Sequence, residues 1–456
     1  MMGSAAIVGA LNEQLSLNNA SRVLVVGLGE TGFSVAKFLH QYDIPFAVVD
    51  SREKPPLKEA LLKQYPDTPL FTGGFDKAAF DVATHLLVSP GVSLQEESIK
   101  KAILAGVKIV SDIDLFACST DKAIVAITGS NGKSTVTTML GVMGSQSGVK
   151  TAIGGNLGVP ALDLLDQTIE LYVLELSSFQ LERTSVLNAT VATVLNVSED
   201  HLDRHMDFKV YAQEKQKVFN GDGVMILNED DAFVKAMVLE NRTVKYFSTQ
   251  KKSDFYLESR QGESWLMNAE QALMRQDDLP VEGLHNIANV LAALALGKVA
   301  GLSVESMTEA LKTFKGLDHR MQKVACVNGV SWVNDSKATN IGACVAALQG
   351  YRHKVVLIAG GDAKGANMSQ LVPAIKDKAK CVVLIGKDAA LIENAMEGCV
   401  PAYRVETVKD AVNLAAELAE QGESVLLSPA CASFDQFKNY QERGDKFTAA
   451  VMDLAA

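Results

Sequence analysis

The sequence predicts an α/β protein of three units, the first and third of them doubly wound parallel sheets. Three observations carry this. Short apolar runs suited to buried strands alternate with helical stretches, as in Arg22-Val-Leu-Val-Val26, Phe46-Ala-Val-Val-Asp50 and Lys354-Val-Val-Leu-Ile-Ala-Gly-Gly361. Glycine-rich turns follow several of these runs. Polar interruptions at Cys118-Ser-Thr-Asp121 and Gly316-Leu-Asp-His-Arg320 divide the chain into residues 1–118, 119–317 and 318–456.

Length and composition allow this. A chain of 456 residues, 48% hydrophobic and 21% charged, can bury several cores. Its net charge of −11 argues against a broad nucleic-acid surface. A few focused cations would still serve a small anionic substrate. The six cysteines (118, 326, 344, 381, 399 and 431) show no C-x-x-C and no metal spacing, as expected of reduced thiols. No apolar run is long enough to insert into a membrane. The opening Met1-Met-Gly-Ser-Ala-Ala6 lacks the basic start of a secretory signal and reads as an added leader. The chain is therefore expected to be cytoplasmic and monomeric.

In the first unit, Arg22–Val26 runs into Gly27-Leu-Gly-Glu-Thr-Gly32, followed by a helical pattern to about His40 and the strand ending at Asp50. This is the dinucleotide fingerprint in outline, and Asp50 stands near the expected spacing of about 20 residues. A lone fingerprint marks a resting place for a nucleotide's phosphates and ribose, NAD being one case. His85-Leu-Leu-Val-Ser-Pro-Gly91 ends in a turn at the sheet edge where α/β proteins bind ligands, and Lys108-Ile-Val-Ser111 is a further strand.

The middle unit opens with the clearest signal. Ala123–Ile127 suits a buried strand, Thr128-Gly-Ser-Asn-Gly-Lys-Ser-Thr135 follows, and Val136-Thr-Thr-Met-Leu-Gly-Val-Met143 can continue as a helix. Strand, glycine loop and helix make a phosphate cradle of backbone N–H groups, with Gly129 and Gly132 permitting the close turn. Lys133 can reach a β/γ-phosphate of ATP and the Ser134 hydroxyl can hold Mg2+. Ile127 stands where the longer phosphate-loop pattern has its first glycine, so this is the shorter G-x-x-G-K-S/T form. After Gly154-Gly-Asn-Leu-Gly158 come two apolar strands, Leu171–Leu176 and Thr190–Asn196. Glu175 ends the first; an acid there is costly to bury unless paired or bound to metal. Beyond the second, Asp200, His201, Asp203 and His205 offer carboxylate and imidazole ligands beside ATP. Lys215 lies on a helical pattern, Tyr211–Phe219, where spacing alone marks it only as a surface lysine. A variable, strand-rich region extends to about residue 280, and Leu284-His-Asn-Ile-Ala-Asn289 starts a helix.

In the third unit, strands Val330–Asp335, Lys354–Gly361, Cys381–Gly386 and Ser424–Pro429 alternate with helices. Asn334-Asp-Ser-Lys-Ala-Thr-Asn340 and Gly360-Gly-Asp-Ala-Lys364 each follow a strand, placing lysines where they can clamp carboxylate or phosphate.

With these residues in view, the sequence resembles the Mur ligases, the amino-acid ligases of peptidoglycan precursors. The phosphate loop, Leu174-Glu-Leu-Ser-Ser-Phe-Gln-Leu181, Asp200-His-Leu-Asp-Arg-His205, His285-Asn-Ile-Ala-Asn289, Asn334–Asn340 and Ser428-Pro-Ala-Cys-Ala-Ser-Phe-Asp-Gln-Phe-Lys438 stand in family order across nearly the whole chain. The third-unit motifs resemble the D-glutamate-adding branch. The resemblance implies Rossmann-like first and third domains around a P-loop ATPase, with UDP rather than NAD on the first. It implies ATP, two Mg2+ sites, UDP-N-acetylmuramoyl-L-alanine and D-glutamate as ligands, and an acyl-phosphate intermediate in cell-wall precursor synthesis. Thr31, Asp50, Ser51, Arg52, Ser89 and Gly91 would then bind the UDP end and Asn156 the substrate between domains. Gly129, Ser130, Asn131, Gly132, Lys133, Ser134 and Thr135 would hold the ATP phosphates. Asn286 and Asn289 would meet adenine, and Arg320 and Asp335 phosphate and ribose. Ser134 and Glu175 would share one Mg2+, and His201 would bind a second near the substrate carboxylate. Lys215 matches the lysine that the family carbamylates, with Lys217 as the alternative. Lys337, Thr339, Lys364, Ser433, Phe434 and Tyr440 would receive the amino acid, Tyr440 standing where the pattern has phenylalanine.

Other readings differ at particular residues. A folylpolyglutamate-type ligase would carry Gly-Lys-Gly-Ser in its loop and need no G-x-G-x-x-G unit. The diamino-acid ligase of the same pathway would show Asp-Asn-Pro-Arg, which is absent here. An NAD oxidoreductase built on residues 22 to 50 leaves the phosphate loop unexplained. A non-catalytic nucleotide-binding regulator leaves Glu175, His201 and both lysine loops without a task.

Overall fold

A computed structural model describes residues 3–200, 202–205, 207–281, 283–351 and 353–455. The chain forms three sheets. The first is entirely parallel, of β1 (Val23–Val26), β2 (Phe46–Asp50), β3 (Leu70–Thr72), β4 (His85–Val88) and β5 (Lys108–Val110), in the order β3-β2-β1-β4-β5. Its central strands β1 and β4 are buried throughout, as expected of strands covered on both faces by helices. The order reverses between β1 and β4, and a ligand crevice opens at such a point. Gly32 fits the first turn of the following helix, Glu30–Gln41, because a Cβ there would sit 1.9 Å from the Gly27 carbonyl oxygen.

The second sheet comprises β6 (Ala123–Thr128), β7 (Thr151–Gly155), β8 (Leu171–Glu175), β9 (Val191–Val194), β10 (Val224–Asn228), β11 (Val244–Ser248), β12 (Phe255–Arg260), β13 (Glu263–Asn268) and β14 (Gln271–Arg275). Their order is β14-β13-β12-β11-β10-β9-β6-β8-β7, parallel from β7 to β12, with the variable region adding antiparallel β13 and β14 at one edge. The third sheet, β15 (Gln322–Val327), β16 (Val330–Asn334), β17 (Val355–Gly360), β18 (Ala379–Ile385), β19 (Ala402–Arg404) and β20 (Ser424–Leu427), runs β15-β16-β20-β17-β18-β19. Only β15 is antiparallel to its neighbour.

The cores are unequally shared. One cluster runs without a break from Ile7 through Leu28, Val48 and Phe116 to Tyr172, Leu176, Tyr211 and Met225, joining the first sheet's layer to the second's. The clusters of the third sheet draw their buried members only from Val330 onward. Of the opening Met1–Ala6, the residues Ser4–Ala6 belong to a packed helix. Ser4–Leu15 is a helix that buries Ile7, Leu11 and Leu15, followed by Leu17, also fully buried. His85 Nε2 meets the Leu15 carbonyl at 3.2 Å and fastens the end of this helix to β4. Among the described residues, no helix is long and apolar enough to cross a membrane.

Candidate active site

The loop Gly129–Gly132 joins β6 to the helix Lys133–Gln146. Gly132 caps that helix at φ +86°, and a Cβ on it would lie 2.3 Å from Asn289 Oδ1, so glycine is required twice over. That contact brings the helix Leu284–Val299, with its buried Asn289 and half-buried Asn286, against the loop. The loop is braced from β9: the Asn131 N–H donates to Asn196 Oδ1 (2.8 Å), and Asn196 Nδ2 donates to the Asn131 carbonyl (3.1 Å). Ser130 Oγ lies 3.1 Å from the Tyr211 hydroxyl and donates to the Ser198 carbonyl at 3.0 Å. Asn196 and Tyr211 carried no motif signal; their clue was position, one ending an apolar strand and the other beginning the segment that holds Lys215.

Lys133 donates to the carbonyls of Gly129 (2.7 Å) and Ser130 (3.0 Å). Lys215 donates to that same Gly129 carbonyl at 3.0 Å, stands 4.4 Å over the Tyr211 ring and is 1% exposed. It is therefore not a surface lysine. Lys217 turns away, to the Glu182 carbonyl and to Glu214. Of the two candidates, Lys215 is the one at the phosphate loop. Burial, reinforced by the nearby Lys133, holds its pKa well below the ordinary lysine value.

Glu175 is 3% exposed at the end of β8. Asn156 donates to it twice, from its backbone N–H to the Glu175 carbonyl (2.8 Å) and from Nδ2 to Oε1 (3.0 Å). Glu175 Oε2 is buried without a hydrogen-bond partner. An orphaned carboxylate oxygen beside a phosphate loop suits a divalent cation, and Ser134 Oγ, which accepts from Arg320 Nη2 at 2.8 Å, completes a hard oxygen pair. Among the described residues no three His, Cys, Asp or Glu side chains cluster as a metal set. His201 and the side chain of Asp203 lie outside the described residues. His205 is buried, stacked on Phe179 with its Nε2 3.0 Å from Ser178 Oγ, a packing position.

The third sheet presents the ends of β16, β17 and β20 to this loop. Lys337 Nζ sits 4.0 Å over the Tyr440 ring. Burial, then Arg320 and Lys133, bring its pKa down to about 8. Lys364 Nζ reaches Asp200 Oδ1 (3.2 Å), and Asn340 Nδ2 donates to Asp200 Oδ2 (3.1 Å) and Asn131 Oδ1 (3.3 Å). Asp335 is buried; it accepts from Ser428 Oγ (2.8 Å) and the Met321 N–H (3.2 Å), and burial raises its pKa to about 7. Ser433 is buried, Thr339 half-buried and Phe434 75% exposed, open to a ligand.

At the first sheet's crevice, Asp50 ends β2. It accepts from the Leu28 N–H (2.7 Å) and takes a two-point contact from Arg52, at 2.8 Å from Nε and 2.7 Å from Nη2. Burial pushes its carboxyl up, but these bonds outweigh burial and hold it below the usual range. Thr31 lies in the first turn after Gly29, Ser51 and Gly91 are exposed, and Ser89 Oγ donates to the Gly27 carbonyl at 2.8 Å. All these residues sit at the strands' carboxyl ends.

Three α/β sheets, a phosphate loop crowded by cations and a nucleotide-type crevice in the first sheet define an enzyme that activates one substrate with a nucleoside triphosphate. Family models agree along the chain: the Mur ligase MurD-like N-terminal domain matches residues 21–111, the Mur ligase middle domain 127–297 and the Mur ligase glutamate ligase domain 319–431. The chain is 50% identical over 444 residues to the UDP-N-acetylmuramoylalanine--D-glutamate ligase of Methylococcus capsulatus, covering 97% of each. It is 48% identical to the enzyme of that name from Pseudomonas aeruginosa, over 95% of this chain and 98% of the relative. Two solved structures share the fold: UDP-N-acetylmuramate-alanine ligase MurC from Thermotoga maritima (TM-score 0.60, 18% identity, 95% and 99% covered) and MurF from Acinetobacter baumannii (TM-score 0.61, 16% identity, 97% and 98% covered). The chain belongs to the Mur ligase family, and within it to the UDP-N-acetylmuramoylalanine--D-glutamate ligases.

Proposed function

We propose that this protein joins D-glutamate to UDP-N-acetylmuramoyl-L-alanine at the expense of ATP. Residues 1–118 hold the UDP end, 119–317 the ATP and 318–456 the amino acid. The observation that carries the reading is the charge arrangement at the loop. Lys133 lies within electrostatic reach of Lys215, Arg320 and Lys337, Arg320 also of Lys337, and all four of the half-satisfied Glu175 carboxylate. Mutual repulsion among cations gathered in a partly desolvated site is costly. It is offset when anionic reactants arrive, and here two must meet: the γ-phosphate and the substrate carboxylate.

The carboxylate oxygen attacks the γ-phosphorus as the bond to the ADP oxygen breaks, giving an acyl phosphate. Lys133 and Arg320 neutralise the transferring group, and the backbone N–H groups of the loop orient it. The amino group of D-glutamate then attacks the acyl carbon, and the tetrahedral intermediate expels phosphate. Lys337, Lys364, Thr339, Ser433 and Tyr440 position the amino acid, with Phe434 offering its exposed ring. Mg2+ held by Ser134 and Glu175, and a second ion at His201, would supply charge stabilisation. The depressed pKa of Lys215 favours the neutral amine that carbamylation by CO2 requires.

The test is ATP-dependent phosphate release with UDP-N-acetylmuramoyl-L-alanine across a panel of amino acids including both glutamate enantiomers. Release with D-glutamate alone is the expected result. Release with another amino acid moves the error to the Lys337–Tyr440 pocket, and release with none overturns the reading.

A further inference from the structure

Arg183 follows the short helix Ser178–Leu181 in the second unit and carries no motif, yet its side chain is wholly buried. Its guanidinium crosses to the first unit. Nη1 donates to the carbonyls of Val88 (3.0 Å) and Ser89 (2.7 Å), and Nη2 to that of Val92 (3.4 Å) and to Glu182 Oε2 (3.0 Å). A second arginine joins it. Arg204 Nη2 donates to the carbonyls of Val92 (2.6 Å) and Pro90 (3.4 Å), its guanidinium 5.0 Å over the Phe179 ring. Two cations thus grip one loop, Ser89–Val92, at the carboxyl end of β4. This is the loop whose Ser89 hydroxyl donates to the Gly27 carbonyl.

Across a trans peptide the C=O and the following N–H point in opposite directions. With the carbonyls of Pro90 and Val92 drawn onto the arginines, the N–H groups of Gly91 and Ser93 face away from them, as donors for an anion. We propose that Arg183, assisted by Arg204, is a positioning residue for the UDP-substrate: it sets the backbone of Ser89–Val92 in its ligand-binding form and ties that form to the helix beside the phosphate loop. This rests on the proposed function, since it takes the first unit's crevice as the UDP site. A simple buried ion pair would need no such set of carbonyls from one loop, and Glu182 takes only one of the four contacts of Arg183. Leaving a guanidinium in the interface with its Nε unpaired is a standing cost that a purely structural contact would more cheaply avoid.

The test is steady-state kinetics of full-length wild type, Arg183→Met and Arg183→Lys, with thermal unfolding on each and calorimetric binding of UDP alone. In R183M the KM for the UDP-substrate and the Kd for UDP should rise by about 10- to 100-fold, the range for a lost charged hydrogen-bond set. The KM values for ATP and D-glutamate and the value of kcat should stay within about twofold of wild type on this reading. R183K, which keeps the charge but gathers its donors on a single nitrogen, should fall between. If R183M is unstable, R183K alone decides, by its selective effect on the UDP-substrate. An unchanged KM for the UDP-substrate, or an equal loss in all three KM values, overturns the inference. A wild type inactive with the UDP-substrate overturns the proposed function instead.

Discussion

Lys337 is the residue whose surroundings make the sharpest demand. Half-buried beside Arg320 and Lys133, it has its pKa brought down to about 8, and on the proposed function it serves as a cation for an anionic partner. Its charged form is present below that pH and lost above it. So kcat/KM for D-glutamate should fall above about pH 8, approaching tenfold per unit. Lys337→Arg, whose guanidinium stays charged, should remove that limb even where its shape lowers the plateau. A limb unchanged in K337R would assign it to another group. Asp335 makes a stability demand of the opposite kind. Its carboxyl is raised from the ordinary 3.8 to about 7, so the folded protein keeps a proton that the unfolded chain releases. The stability this contributes is whole below about pH 4 and is lost as pH rises through 7, at up to about 1.4 kcal/mol per unit. Asp335→Asn should flatten the dependence of unfolding free energy on pH across that window, measured by denaturant titration without ligands. An equal slope in wild type and variant would show that other groups set it.

Among the elements, the first helix separates what the sequence disclosed from what it hid. Ile7, Leu11 and Leu15 recur every fourth residue, the spacing of a buried stripe, but the opening Met1–Ala6, without the basic start of a secretory signal, read as an added leader. Residue type and position disagreed there, and position in the fold decided. The opposite held for β1, β4, β6 and β17, whose apolar runs left no alternative to a buried strand. Glycine loops and strand-end acids were legible because phosphate chemistry permits so few residue types at those points. The contacts of Arg183, Asn196 and Asn340 were not, even though Asn340 closes a motif. Each acts by reaching a backbone or side chain from 65 to 209 positions away, and no local pattern encodes that distance. The helix gives its own test. Leu11 is fully buried, so Leu11→Ala should destabilise the first unit by about 2–5 kcal/mol. Activity at 25 °C should be unaltered, because the helix packs on the amino end of β4, opposite the crevice. A change in KM for any substrate would place the helix in the working machinery.

At the scale of the whole molecule, the first two units share a continuous apolar core, while the third meets the phosphate loop through polar groups: Arg320 on Ser134, Asn340 on Asn131 and Asp200, Lys364 on Asp200, and Gln370 on Glu199. A shared core resists separation; a polar interface between units permits relative motion by default. On the proposed function the third unit is therefore expected to be the one that moves, carrying the amino-acid site toward ATP, and the Lys364–Asp200 pair is a salt-sensitive contact of that interface. That pair is largely buried on the Asp200 side, so screening weakens it less than a surface pair but removes the long-range attraction that favours closure. Raising ionic strength from about 0.05 to 0.5 M shortens the Debye length from roughly 14 to 4 Å. Small-angle scattering should then show a larger radius of gyration, and Lys364→Met should show the larger value already at low salt. An ATP analogue with UDP-N-acetylmuramoyl-L-alanine should restore compaction in both, by placing new anions between the cations of the two units. Scattering insensitive to salt, to K364M and to both ligands would mean that the third unit is fixed, and that substrates enter a site already assembled.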